Sequence, residues 1–175
     1  MDAVAKLKAA VRDVPDFPVP GILFKDITPI LQDPALFRLA VDLFAERCRQ
    51  TKATTIAAVE ARGFFFGGAV ADRLGIGLAP VRKKGKLPYK TFEESYALEY
   101  GTATLSVHQD AFNKKNEKVI IIDDLLATGG TALATAKLVE RAGGKVVEMA
   151  FLIELAFLKG RAKLTGYTVT APLVY

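Results

Sequence analysis

One cysteine, Cys48, and one histidine, His108, are all the chain offers of either residue. A lone cysteine cannot close an intrachain disulfide, and the two together cannot build a Cys/His zinc cage or an HExxH site. Neither has neighbours that suggest a role. Long apolar runs are also missing: Phe64-Phe65-Phe66 with its surroundings and Met149 to Ile153 fall far short of the roughly 18 uncharged residues that a membrane span needs. The opening segment MDAVAKLKAAVRDV carries charges at Asp2, Lys6, Lys8, Arg12 and Asp13. These interrupt the apolar stretch of a secretory signal and suit a short amphipathic surface helix. The expectation is a cytoplasmic protein that uses no zinc and contacts no membrane.

What is present is the balance of one compact domain spanning residues 1–175. Of the 175 residues, 51% are hydrophobic and 25% charged, with mean hydropathy +0.24, enough to bury a core and too apolar for disorder as the main state. Basic residues outnumber acidic ones 24 to 19, and the resulting pI near 9.3 raises the question of nucleic acid. The excess is local. Arg82, Lys83, Lys84, Lys86 and Lys90 stand in one acid-free stretch whose charge equals the net +5 of the whole chain. Such a cluster serves a small polyanion as well as a phosphate backbone, and in isolation it reads as a solvated loop.

Asp33 is a good N-cap with Pro34 at the first helical position, and Leu36, Ala40, Leu43 and Phe44 then recur at helical spacing toward Gln50. TTIAAVE (54–60) predicts a strand, Arg62-Gly63 a turn, and the following residues a helix through Leu74 stopped by Gly75. Leu78 to Val81 predicts a short strand and 83–94 a polar connection. Tyr96–Tyr100 and Thr102–Val107 predict two strands turning at Gly101. Lys118 to Ile122 is nearly all aliphatic, as in a parallel strand buried on both faces. Gly130 to Ala142 predicts a helix ended by Gly143-Gly144, and Lys145 to Ile153 a further strand. Strands and helices alternating in this way imply an α/β domain, with a central, mostly parallel sheet flanked by helices.

The most informative stretch is VIIIDDLLATGGTA (119–132). A hydrophobic strand delivers Asp123 and Asp124 to the carboxyl edge of the sheet, where ligands bind in open α/β folds. Ala127, Thr128, Gly129, Gly130 and Thr131 then offer successive backbone N–H groups at a helix N-terminus, a natural phosphate cradle, and the two threonine hydroxyls can donate as well. Aspartates repel phosphate but accept from neutral hydroxyls or from the water shell of Mg²⁺. Phosphate, polyol and divalent cation on one ligand describe a phosphorylated sugar. Neither GxxxxGK[ST] nor GxGxxG occurs, since Gly75-Ile76-Gly77 has Pro80 where the third glycine belongs.

VIIIDDLLATGG resembles the 5-phosphoribosyl-1-diphosphate (PRPP) signature of the type I phosphoribosyltransferase family. FPVPGILFKDITPIL, VEARGFFFG, VRKKGKLPYKT and SYALEYG stand in the order found in the family's adenine-using members, so that the resemblance covers Phe17 to Leu164. It implies the type I fold with an N-terminal base-binding hood and a mobile loop, transfer of phosphoribose from PRPP to adenine giving AMP and pyrophosphate, a Mg²⁺ requirement and a homodimer. It implies PRPP contacts from Asp123, Asp124 and 127–131, and a pyrophosphate loop at Glu60, Ala61 and Arg62 with a cis Glu60-Ala61 peptide. Lys83 and Lys86 would reach pyrophosphate from a cationic lid over 82–90. Glu99 and Tyr100 would lie near the base and the anomeric carbon, with Arg62 as the catalytic oxyanion donor, and Leu23, Phe24 and Lys25 would hold adenine. Many members carry Arg at the position of Lys25. Asp26 and Thr28 read as capping and turn residues rather than ligands.

Two other readings stay open on sequence. A different purine or a pyrimidine could be the acceptor, because one altered pocket contact inverts base preference. A PRPP-sensing regulator could bind nucleic acid through 82–90, although the domain fills the chain and leaves no helix-turn-helix extension, so no nucleic-acid partner is expected.

Overall fold

The computed structural model describes residues 2–97, 101–112 and 117–175. They form two compact units, residues 1–43 and 44–175. In the first, α1 (Ala3–Ala10) is the short helix expected at the start and buries Leu7. The proline-punctuated segment that follows forms β1 (Arg12–Pro15) and β2 (Leu23–Asp26), an antiparallel pair with Arg12 opposite Asp26 and Pro15 opposite Leu23. Between them the chain turns through a cis Phe17-Pro18 bond, and the Gly21 amide donates to Asp16 Oδ1 at 2.7 Å. After α2 (Thr28–Gln32) comes α3 (Pro34–Thr51), which runs across the division between the units. Asp33 caps it as its sequence position predicts: Oδ1 accepts the amides of Ala35 and Leu36 at 2.8 and 3.0 Å.

The second unit is built as β3 (Thr55–Val59), α4 (Gly63–Leu74), β4 (Gly77–Lys83), β5 (Thr91–Ala97), β6 (Thr102–His108), β7 (Lys118–Leu126), α5 (Gly130–Arg141) and β8 (Lys145–Glu154). Short 3₁₀ turns at Ala156–Leu158 and Gly160–Lys163 precede β9 (Val169–Thr170) and β10 (Leu173–Val174). The sheet order is β10-β8-β7-β3-β4-β6-β5, with β9 also on β8. Every pairing from β10 to β4 is parallel; only the β5–β6 hairpin and its junction with β4 are antiparallel. Mostly parallel strands with flanking helices are the architecture that the alternating pattern predicts. All of β3 is buried, as are Val119 to Ile122 of β7, so both strands read as continuous aliphatic runs.

Three elements are longer than their sequence suggests, each because a neighbouring strand extends it. β7 loses β3 as a partner after Ile122 but continues beside β8 to Leu126, opposite Glu154. Asp123 and Asp124 therefore belong to the strand rather than to the loop after it. β4 includes Arg82 and Lys83 because they pair with Ser106 and Leu105 of β6, and β5 starts at Thr91 opposite His108. The polar connection shrinks to residues 84–90. The expected strand from Tyr96 to Tyr100 is described only as far as Ala97; Leu98, Glu99 and Tyr100 lie outside the described residues.

Candidate active site

The carboxyl ends of β3, β4 and β7 and the first turn of α5 gather most of the expected site residues of the second unit. Asp123, Ala127, Thr128, Gly129 and Thr131 border one cavity of about 70 Å³, closed on the β8 side by Phe151. Gly129 is the N-cap of α5 with φ 80, a left-handed conformation that favours glycine. It turns the chain from β7 into the helix, so that the positive end of the helix dipole stands beside the cavity that Thr128, Gly129 and Thr131 border.

The two aspartates have different partners. Asp123 Oδ1 accepts the Asp124 amide at 2.9 Å, whereas Asp124 Oδ2 accepts from Arg62 Nε at 2.5 Å. Desolvation, then the charge of Asp124 alongside, pushes the Asp123 carboxyl well above its ordinary range, against the opposing pull of the Asp124 amide and of Arg62. The start of α4 presses on the same strand end. A Cβ on Gly63 would come within 2.8 Å of the Ile122 carbonyl oxygen and 3.1 Å of Asp123 Oδ1, so glycine is required for that approach.

The Glu60-Ala61 peptide is cis, in keeping with the resemblance. Glu60 itself is anchored sideways: Arg82 Nε and Nη2 reach its two oxygens at 3.2 and 3.3 Å, and the Lys83 amide donates at 3.0 Å. Burial alone would raise the Glu60 carboxyl, but these hydrogen bonds and the charges of Arg82 and Lys83 outweigh it and hold it below its ordinary range. Arg82 Nη1 also donates to the Lys86 carbonyl at 2.9 Å. Arg82 is thus a clamp between β3 and the 84–90 turn, not a lid cation as its place in the basic run suggests. Lys84 is paired with Glu93 at 2.8 Å. Lys83 and Lys86 are exposed, with no ion pair among the described residues.

Within the first unit, Leu23 is exposed, Phe24 packs edge-on against Phe17 at 5.1 Å, and Lys25 Nζ lies 2.6 Å from Asp13 Oδ1. Asp26 takes the Thr28 amide and hydroxyl at 2.8 and 2.6 Å and also Arg12, the capping role read from sequence. Glu99 and Tyr100 lie outside the described residues. Among the described residues no group of three or more His, Cys, Asp or Glu could hold a metal ion. The adjacent carboxylates of Asp123 and Asp124 suit Mg²⁺ held through its water shell, since this ion keeps most of its waters.

Two residues at this site went unread in the sequence. Tyr96 of β5 lays its ring on Gly130, and its phenol oxygen lies 3.1 Å from Thr131 Oγ1. Gly160 backs the loop: a Cβ there would run into the Ala127 carbonyl. No local signal marks either, because both come from elements 30 or so residues away in the chain.

This parallel sheet, with an acid pair and a glycine-rich helix start at one strand end, is matched over residues 26–166 by the family model described as phosphoribosyl transferase domain. An adenine phosphoribosyltransferase of Thermosipho melanesiensis is 55% identical over 170 residues, 97% of each chain. The crystal structure of the adenine phosphoribosyltransferase from Thermoanaerobacter pseudethanolicus superposes with TM-score 0.94 at 49% identity, covering 98% of this chain and 99% of that one. That of Saccharomyces cerevisiae, complexed with an imino-altritol bisphosphate and adenine, gives TM-score 0.92 at 40% identity and 98% coverage of both. The chain belongs to the phosphoribosyltransferase family, in its adenine phosphoribosyltransferase branch.

Proposed function

We propose that the chain works as one catalytic domain in purine salvage, moving the phosphoribosyl group of PRPP onto N9 of adenine and releasing AMP and pyrophosphate. What supports this reading most is the cavity bordered jointly by Asp123 and by the donor-rich loop from Ala127 to Thr131. The loop amides and the Thr128 and Thr131 hydroxyls bind the sugar's 5-phosphate; Asp123 and Asp124 accept its ring hydroxyls. Arg62, with Glu60 and Ala61 beside it, receives the pyrophosphate, joined by Lys83 and Lys86. Arg62 is paired with Asp124, so donor binding exchanges partners: the guanidinium turns to pyrophosphate and the freed carboxylate to a hydroxyl.

The bond from C1′ to pyrophosphate breaks as N9 attacks, and the sugar carries positive charge in between. Catalysis comes from holding both reactants in line and stabilising the departing anion. Mg²⁺ bound to the pyrophosphate would neutralise part of that charge. Asp123 and Asp124 would meet it through its water shell. Leu23, Phe24 and Lys25 hold adenine, and Glu99 and Tyr100 act at the base and the anomeric carbon. The enzyme is a cytoplasmic homodimer. No helix among the described residues is long and apolar enough to cross a membrane. Incubating the purified protein with PRPP, Mg²⁺ and a panel of nucleobases tests the reading. AMP from adenine alone is expected, and a nucleotide of another base would reassign the acceptor.

A further inference from the structure

Thr131 has a single hydroxyl proton, and the structure gives it to Tyr96: Thr131 Oγ1 and Tyr96 Oη are 3.1 Å apart. The Tyr96 ring is seated against α5, its Cδ2 2.9 Å from where a Cβ on Gly130 would stand. Tyr96 and Gly130 also border a cavity of about 170 Å³, together with Leu133, Lys137 and Lys163. The ring packs on the core and on Gly130, and its polar anchor is Thr131.

We infer that Tyr96 is a positioning residue for the 5-phosphate, acting through Thr131. A threonine hydroxyl that donates to a phosphate needs an acceptor role filled from behind, and a phenol can fill it because its O–H both accepts and donates. In the structure Thr131 donates to Tyr96. When the phosphate arrives, the Thr131 hydroxyl donates to a phosphate oxygen and the Tyr96 hydroxyl donates to Thr131 Oγ1. The pair reverses direction, and the phenol keeps Thr131 Oγ1 in place beside the cavity that Thr131 borders. Two hydrogen bonds in series polarise one another, so the phosphate gains from a residue it does not touch. No proton leaves either oxygen.

This inference rests on the reading of 127–131 as the 5-phosphate cradle, and a double-mutant cycle separates the two. Ribose 5-phosphate is the probe for the cradle and pyrophosphate the control, titrated by calorimetry on the parent chain, Tyr96→Phe, Thr131→Ala and the double variant. Phenylalanine keeps the ring on Gly130 and removes only the hydroxyl. The expected result is that Tyr96→Phe weakens ribose 5-phosphate about fivefold, leaves pyrophosphate unchanged, and adds nothing once Thr131 is alanine. If Thr131→Ala weakens the sugar phosphate but Tyr96→Phe does not, or if the two effects add, the inference is overturned and the cradle stands. If Thr131→Ala itself has no effect, the cradle reading of Thr131 fails and the inference falls with it.

Discussion

Gly129 packs directly against Gly160, so closely that a methyl group on Gly129 would run into the Gly160 carbonyl. The loop leading into α5 is therefore shaped from behind by the 3₁₀ turn after β8, as well as by its own glycines. Gly129→Ala combines a φ of 80 with that clash and is expected to cost on the order of 2 to 4 kcal/mol. Gly21→Ala supplies the control: its φ is 88, but nothing stands within 4 Å of the new methyl. It should cost about 1 kcal/mol. Urea unfolding of both variants measures the difference, and equal losses would mean that the Gly160 turn yields without resistance.

Arg62 donates to Asp124 across the mouth of the site, and its side chain is 43% exposed. Losing a charge-assisted hydrogen bond to the leaving group is worth about 1.5 to 3 kcal/mol, so Arg62→Gln should lower kcat/KM by roughly 10- to 100-fold. In the reverse reaction the KM for pyrophosphate should rise, while affinity for ribose 5-phosphate holds. Arg62→Lys recovers only part of the loss, because an ammonium lacks the fork that grips two oxygens. A parallel fall in ribose 5-phosphate affinity would move Arg62 out of the pyrophosphate site.

The raised Asp123 carboxyl makes stability depend on pH. Held up by desolvation first and by Asp124 second, this group keeps its proton to higher pH in the folded chain than in the unfolded one. Its contribution is complete below the ordinary carboxylate value near 4 and is lost as pH rises through the raised folded value. Asp123→Asn removes that loss. Thermal unfolding should show the variant more stable than the parent at neutral pH, the gap narrowing toward pH 4, while turnover collapses. Superimposable stability profiles would contradict the assignment.

Away from the site, Glu148 of β8 is fully buried and held at 2.7 Å by both Nε and Nη2 of Arg47, with the Thr170 hydroxyl at 2.6 Å. Arg47→Ala leaves a buried carboxylate without its cation, which costs about 3 to 5 kcal/mol. Replacing both, as Arg47→Met with Glu148→Leu, should restore most of it. Denaturant midpoints read the stability, and activity per folded molecule should match the parent in either variant.

Local chemistry alone settled a good part of this protein. The Asp33 cap, the Gly75 stop, the buried aliphatic strands and the acid pair followed by a donor-rich helix start are short-range patterns, and they sit where the sequence places them. The type I phosphoribosyltransferase resemblance rested on the last of these together with the motifs at 17–31, 59–67, 81–91 and 95–101. Tertiary structure decided how far each strand runs, since a strand continues only while a neighbour offers it hydrogen bonds: β8 carries β7 past Ile122, and β6 draws Arg82 out of the basic loop and into β4. It also decided partners. Arg62 with Asp124, Arg82 with Glu60 and Thr131 with Tyr96 lie 62, 22 and 35 residues apart, and only the strand order brings them within bonding distance. Composition and spacing record which groups a chain carries; which of them meet is set by the sheet that packs them, because hydrogen bonds and ion pairs act over a few ångströms whatever the separation along the chain.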